Sequence, residues 1–312
     1  MFDSHLHIID PRFPLIPNQG SGGPGPVGSD VAAVADVAAG AARPLSPAAS
    51  QARPAYRPDP FTVDDYRRVV DDLGVRGGAV VSGSFQGFDQ TYLLDALDRL
   101  GPTFVGVTQL PADTTAGTIT RLDAAGVRAV RFNLVRGGSA GPDDVDRLGR
   151  LVYDTAGWSS EFYVRSDDLG SVGPAIGRLP RASIDHLGLT TDGLDDLLRL
   201  VAGGVRVKAT GFGRWAGGPA VVVDVLRRIH GVDPGALLWG TDLPGTRAPR
   251  PFVPADLEVL ADAVGADLDR VLTGNAVGWY RPTGGLGGAA PAGAGGPVAV
   301  AGRRPRPSPG AQ

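Results

Sequence analysis

A single-domain (β/α)₈ TIM barrel is the fold class that the chain predicts, and three observations carry the prediction. Eight short apolar runs alternate with segments of helical spacing, the pattern that a repeated strand-helix unit requires. Several helical segments stop at a glycine, at Gly74, Gly101, Gly126 and Gly203, the residue that most readily ends a helix. The 312 residues are also enough for one barrel of about 250 residues. A doubly wound open sheet is the alternative that the same alternation permits.

The elements follow in order. The first apolar run, 2–8, carries Asp3, His5 and His7. It leads into a stretch, 17–60, so crowded with Pro, Gly, Ala and Ser that it reads as a low-complexity loop insertion, with a short helical piece at 31–39. Loops of that length are commonly functional, and this one is expected to roof a site. A helix over 64–73 starts behind Thr62 as N-cap. The remaining strands are expected at 78–82, 103–110, 127–134, 161–164, 182–187, 205–210 and 237–241. Further helices are expected at 90–100, 143–155, 194–201, 221–229 and 256–264. The barrel domain therefore spans 1–282, and 283–312, which repeats the Pro/Gly/Ala composition and ends near Arg303, Arg304 and Arg306, reads as a disordered tail.

Composition excludes several classes. The formal charge of −3 offers no basic face for nucleic acid. The lack of cysteine excludes disulfides, thiolate metal sites and a cysteine nucleophile. No run of about 18 apolar residues is available to cross a membrane, and 1–10 lack the basic-then-apolar order of a leader, so a cytoplasmic protein is expected. Neither a Walker motif nor a dinucleotide-binding glycine pattern occurs, so no nucleotide cofactor is expected.

Chemistry in such a barrel collects at the C-terminal ends of the strands. His5 and His7 lie two apart on the first strand, about 6 to 7 Å apart and on one face. The fourth strand ends in Arg131 and Asn133, the fifth in Tyr163 and Arg165, and the sixth in Asp185-His186. The seventh offers Lys208, with Arg214 just beyond, and the eighth ends at Asp242. Three of the four histidines thus fall on one rim. Strand alternation lets only one of Asp185 and His186 face inward, and His186 is assigned inside. By the same rule Arg128 faces outward, while Asp3 shares the face of His5 and His7 as a packing partner. His230, at a helix C-terminus, is structural, and the pairs Asp64-Asp65, Asp143-Asp144 and Asp195-Asp196 are helix starts.

The ordered set Asp-x-His-x-His, Val-Arg-Phe-Asn, Asp-His-Leu-Gly, Lys-x-x-Gly and Trp-Gly-Thr-Asp-x-Pro resembles the amidohydrolase-related TIM-barrel proteins, and within them most of all the 2-pyrone-4,6-dicarboxylate lactonases. The resemblance covers roughly 1–282, including Gln86-Gly87-Phe88-Asp89 and the closing Gly274-Asn275 to Trp279-Tyr280. It implies a hydrolase in which Asp242 activates water and His5, His7 and His186 polarise a carbonyl. Arg131, Lys208, Arg214 and Tyr163 would hold a carboxylate-bearing lactone or activated ester. It also implies that no metal is obligatory.

Metal-dependent relatives use the His-x-His pair and the aspartate as ligands, with more histidines on the fifth and sixth strands. Here the fifth strand carries Tyr163-Val164-Arg165 instead. His5, His7 and Asp242 could still make a site for one zinc or manganese ion, with His186 as fourth ligand or free base. A second ion would be opposed by the charge of Arg165. Two alternative functions stand beside the lactonase: a metal-dependent decarboxylase of an aromatic or pyrone-like acid, and a barrel that binds an anion without turnover.

Overall fold

Eight parallel strands in sequential order wrap into a nearly closed barrel in the computed structural model, which describes residues 1–16 and 56–286. The helical piece expected at 31–39, nearly all of the low-complexity stretch and most of the tail lie outside the described residues. The strands are β1 (Phe2–Leu6), β2 (Gly77–Val81), β3 (Phe104–Thr108), β4 (Val127–Asn133), β5 (Ser159–Tyr163), β6 (Ala182–Ile184), β7 (Arg206–Ala209) and β8 (Leu237–Trp239). Each matches one expected run, with β6 shorter than predicted. Closure comes from backbone bonds just beyond β8, where the Asp242 N–H donates to the His5 carbonyl at 2.7 Å and the His7 N–H to the Leu243 carbonyl at 2.8 Å.

Nine α-helices occupy the described residues. They are α1 (Val63–Val70), α2 (Thr91–Leu100), α3 (Ala116–Ala124), α4 (Val145–Ala156), α5 (Leu169–Ile176), α6 (Leu194–Ala202), α7 (Pro219–Val232), α8 (Asp256–Val264) and α9 (Asn275–Tyr280). Thr62 caps α1 in a reciprocal box with Asp65. The helices that the spacing did not reveal are α3, with its Gly-Thr-Ile-Thr stretch, α5, interrupted by Gly173 and Pro174, and the short α9. Packing against the barrel supplies what their propensities do not. None of the described helices is long and apolar enough to cross a membrane.

Two apolar layers result. Leu6, Val80, Val130, Phe162, Ile184 and Val207 face outward into the helices. Phe2, Ala79, Val81, Val105, Val107, Ala129 and Leu238 fill the lower barrel, and Tyr280 of α9 plugs its base, stacked on Phe2 at 5.6 Å. Above that plug the barrel interior is charged rather than apolar.

One expectation about β1 is corrected. Its pairing with β2 is irregular between Asp3 and Leu6, which breaks strict alternation. Asp3 therefore leaves the face of His5 and His7 and accepts from Tyr66 of α1 at 3.1 Å, from the Thr241 hydroxyl at 2.6 Å and from the His5 N–H at 3.1 Å. It packs β1 against the end of β8. Burial pushes its carboxyl up to about 6 despite these donors.

Candidate active site

The strand ends bring four side chains to one point. Asp242 follows β8 in a left-handed turn (φ 60°) that aims its carboxylate inward. Its Oδ1 lies 3.8 Å from His5 Nε2, 3.7 Å from His7 Nε2 and 3.9 Å from His186 Nε2. Burial, with Lys208 beside His5 and Arg214 beside His186, holds those two imidazoles well below the ordinary histidine range. Burial and Arg131 bring His7 down to about 3. All three rings are neutral at pH 7, so these contacts are not ion pairs. Asp242 Oδ1 and His5 Nε2 are buried without a hydrogen-bond partner.

The other faces of these groups are fixed. Arg214 donates from Nε to Asp242 Oδ2 at 2.8 Å, with Nη2 at 2.7 Å from the same oxygen, and Nη2 also reaches the Thr246 carbonyl at 3.0 Å. Burial nevertheless outweighs Arg214 and pushes the Asp242 carboxyl up to about 6. His7 Nδ1 sits 2.7 Å from the Val81 carbonyl, and His186 Nδ1 lies 2.8 Å from the Thr210 hydroxyl.

His186 and Asp185 both enter the interior, which corrects the expectation that only one would. The strand stops at Ile184, and His186, Leu187, Gly188 and Leu189 follow at φ of 51°, 56°, 75° and 66°. Alternation ends where that left-handed turn begins. A left-handed non-glycine residue costs about 1–2 kcal/mol. The turn is held by the Trp215 indole N–H donating to the His186 carbonyl at 3.2 Å and the Ser166 hydroxyl to the Gly188 carbonyl at 3.1 Å. Gly211 is required beside it, since a Cβ there would stand 2.9 Å from His186 Nδ1.

Beneath the histidines lies a buried polar layer. Arg131 donates from Nε and Nη2 to Asp185 Oδ2 at 3.1 and 2.8 Å, and from Nη1 to the Ser82 carbonyl at 2.8 Å. Burial pushes Asp185 up, but Arg131 and Lys208 overcome it and hold the carboxyl well below the usual range. Lys208 Nζ is 2.5 Å from Glu161 Oε2, 3.2 Å from His5 Nδ1 and 3.6 Å from Asp185 Oδ1. Tyr280 closes the layer by donating to Glu161 Oε1 at 2.6 Å. The sequence reading passes over Glu161, which looks like the edge of an apolar run, and by alternation places Asp185 outside.

Above the histidines a pocket opens to solvent, lined by His7, Ser84, Phe85, Arg131, Asn133, Arg136, Tyr163, His186, Arg214, Thr246 and Arg247. Tyr163 stands edge-on to His186 and beneath the Arg131 guanidinium. Lys208 does not line this space; it lies below. Arg165 does not reach it either. It turns to the surface and pairs with Asp167 at 2.9 Å, because β5 ends at Tyr163, and so it cannot oppose a metal ion in the site. Arg136 and Arg247, which the sequence reading missed, have no carboxylate within 4.0 Å among the described residues, and Arg247 lies 3.9 Å over the Tyr56 ring. Burial and the neighbouring charge of Arg136 push the Arg247 guanidinium below its usual value. Both sit in loops whose sequence gives no signal beyond charge. Arg128 pairs with Asp123 and His230 with Asp267, away from the site.

A family model described as amidohydrolase matches residues 2–281. Among curated relatives, the 4-sulfomuconolactone hydrolase of Hydrogenophaga intermedia is 27% identical over 205 residues, 61% of this chain and 67% of that protein. The 2-pyrone-4,6-dicarboxylate hydrolase of Comamonas testosteroni is 28% identical over 198 residues, 56% of this chain and 64% of that protein. Among solved structures, a probable 2-pyrone-4,6-dicarboxylic acid hydrolase from Acinetobacter baumannii with citric acid bound superposes with a TM-score of 0.67 at 19% identity, over 90% of this chain and 98% of that one. Amidohydrolase 2 from Bifidobacterium longum subsp. infantis gives 0.57 at 19% identity, over 90% and 98% of the two chains. At that identity the likeness establishes the fold.

Proposed function

We propose, from the premise that this chain belongs to the amidohydrolase family and is a hydrolase, that it opens a lactone or similarly activated ester of a carboxylate-bearing small molecule, with Asp242 taking a proton from water. The observation that carries the reading is the unpartnered, buried Asp242 Oδ1, faced by three neutral imidazoles of which two, His7 and His186, line a pocket rich in arginine. Arg214 holds Oδ2 and leaves Oδ1 for water. A carboxyl near 6 is ionised at neutral pH yet basic enough for proton transfer. A carbonyl oxygen can only accept, so His7 Nδ1 carries the ring hydrogen that meets Val81, and its Nε2 is a bare acceptor aimed at the same water.

In the reaction, the water oxygen bonds to the lactone carbonyl carbon while its proton passes to Asp242 Oδ1. The carbon to ring-oxygen bond then breaks, and that proton goes to the departing oxygen, giving an open hydroxy acid. Arg131 and Arg214, already matched by Asp185 and Asp242, position these carboxylates, whereas Arg136 and Arg247 are left to meet the carboxylate of a substrate. Relatives named as lactone hydrolases favour this chemistry over decarboxylation or simple binding.

A zinc or manganese ion would find its ligands in His5, His7 and Asp242, with His186 beside them, provided that each imidazole turns a lone pair toward it. Such an ion, when bound, supplies Lewis acidity and a more acidic water. The test is turnover of 4-sulfomuconolactone and 2-pyrone-4,6-dicarboxylate by wild type and Asp242→Asn, with and without chelator. Lactone opening that falls about 10²–10⁴-fold in Asp242→Asn is expected. Lactone opening that survives the substitution, or no opening of either lactone, overturns the reading.

A further inference from the structure

We propose that Lys208 acts as a positioning residue that makes His5 a hydrogen-bond donor into the site, and thereby makes the site favour a water molecule over a divalent cation. An ammonium carries three N–H donors and no lone pair. Its Nζ approaches His5 Nδ1 to 3.2 Å, closer than the 3.4 Å that separates Nδ1 from Asp185 Oδ1. A hydrogen on Nδ1 would point at the ammonium, so Nδ1 accepts from Lys208 and the ring hydrogen resides on Nε2. Glu161 and Asp185 flank Nζ at 2.5 and 3.6 Å and match its charge.

His7 is set the opposite way, with Nδ1 donating to the Val81 carbonyl and Nε2 bare. Between these two rings and Asp242 there are thus one donor, His5 Nε2–H, and two acceptors, His7 Nε2 and Asp242 Oδ1, while the role of His186 Nε2, 3.9 Å from Oδ1, follows from what its Nδ1 exchanges with the Thr210 hydroxyl. A water molecule complements that set directly, accepting one hydrogen bond and donating two. A cation needs the lone pair of His5 Nε2, which would require the ring hydrogen to move to Nδ1 and face Lys208. The partner of the remote ring nitrogen decides which nitrogen can bind a metal. Here that partner is a cation rather than the carboxylate or carbonyl usual behind a metal-bound histidine.

This deepens the reading of the site as a water-activating centre. Neither measurement below uses a lactone, so its failure is separate from failure of the lactonase reading. The first is the ring ¹⁵N spectrum of metal-free, histidine-labelled wild-type protein. Only four histidines contribute, and His5→Gln identifies the set that belongs to His5. The expected result is a hydrogen on Nε2 of His5 and on Nδ1 of His7. A hydrogen on Nδ1 of His5, donated to Asp185, overturns the proposal, as does a doubly protonated ring.

The second is the zinc dissociation constant, by chelator competition, of wild type and of Lys208→Met/Glu161→Gln, which removes both charges of the buried pair together. Replacing outer partners of metal ligands changes affinity by about 10–100-fold. The double variant is expected to bind zinc at least about tenfold more tightly than wild type. Unchanged or weaker binding overturns the proposal.

Discussion

The floor and the mouth of the cavity hold the same kind of residue in opposite states. On the floor, Arg131, Lys208 and Arg214 each face a carboxylate, from Asp185, Glu161 and Asp242. At the mouth, Arg136 and Arg247 face none within 4.0 Å among the described residues. The floor is therefore one interlocked arrangement in which each charge depends on its neighbour, and the mouth is a pair of cations awaiting an anion. Removing a charge from the floor should cost stability, and removing one from the mouth should cost substrate binding.

The largest test of that contrast is Lys208→Met, which strands Glu161 in the interior. Breaking a buried pair costs roughly 3–5 kcal/mol, so urea unfolding should show a loss of that order, most of it recovered in Lys208→Met/Glu161→Gln. A single variant as stable as wild type would break the description of the floor. Next come Arg136→Gln and Arg247→Gln. A hydrogen bond to a charged group is worth about 1.5–3 kcal/mol, so each should raise KM for a carboxylate-bearing lactone roughly ten- to hundredfold. Unfolding free energy should move by less than about 0.5 kcal/mol. Equal losses of stability at floor and mouth would erase the distinction.

A smaller effect, about tenfold per pH unit, is expected from Asp242. In metal-free enzyme, kcat/KM should fall on the acid side with an apparent pKa near 6, because the protonated carboxyl cannot accept a proton. Its contribution to stability has the opposite sign. A folded-state value near 6 against 3.8 unfolded means that the native protein holds the proton longer, so this stabilisation is complete below pH 3.8 and is lost as pH rises through 6. Asp3 behaves alike. An activity profile flat from pH 5 to 8 would remove Asp242 as the base. The smallest effect lies outside both regions: Thr62→Ala should cost about 1 kcal/mol by removing the cap of α1, with kinetics unaltered.

Much of this was legible in the linear sequence, and the limit falls at identifiable residues. The eight apolar runs became the eight strands because burial on both faces demands such runs, and His5, His7, His186 and Asp242 converge because strand ends share a rim. Legibility stopped where the backbone left regular geometry. Asp185 was misplaced because the alternation rule was carried past Ile184 into a left-handed turn. Arg247 occupies another left-handed position, φ 59°, whose direction no periodicity encodes. Glu161 was hidden for a different reason, since an ionised side chain inside a barrel is intelligible only once Lys208 is seen across from it.

The unmatched pair at the mouth also bears on the end of the catalytic cycle. Opening a lactone creates a new carboxylate, so the product leaves with one more negative charge than the substrate brought. In the proposed reaction Arg136 and Arg247 would hold the product more tightly than the substrate, which is expected to slow its departure. The enzyme should therefore show product inhibition, strongest in dilute buffer and relieved as added salt screens the two guanidinium groups.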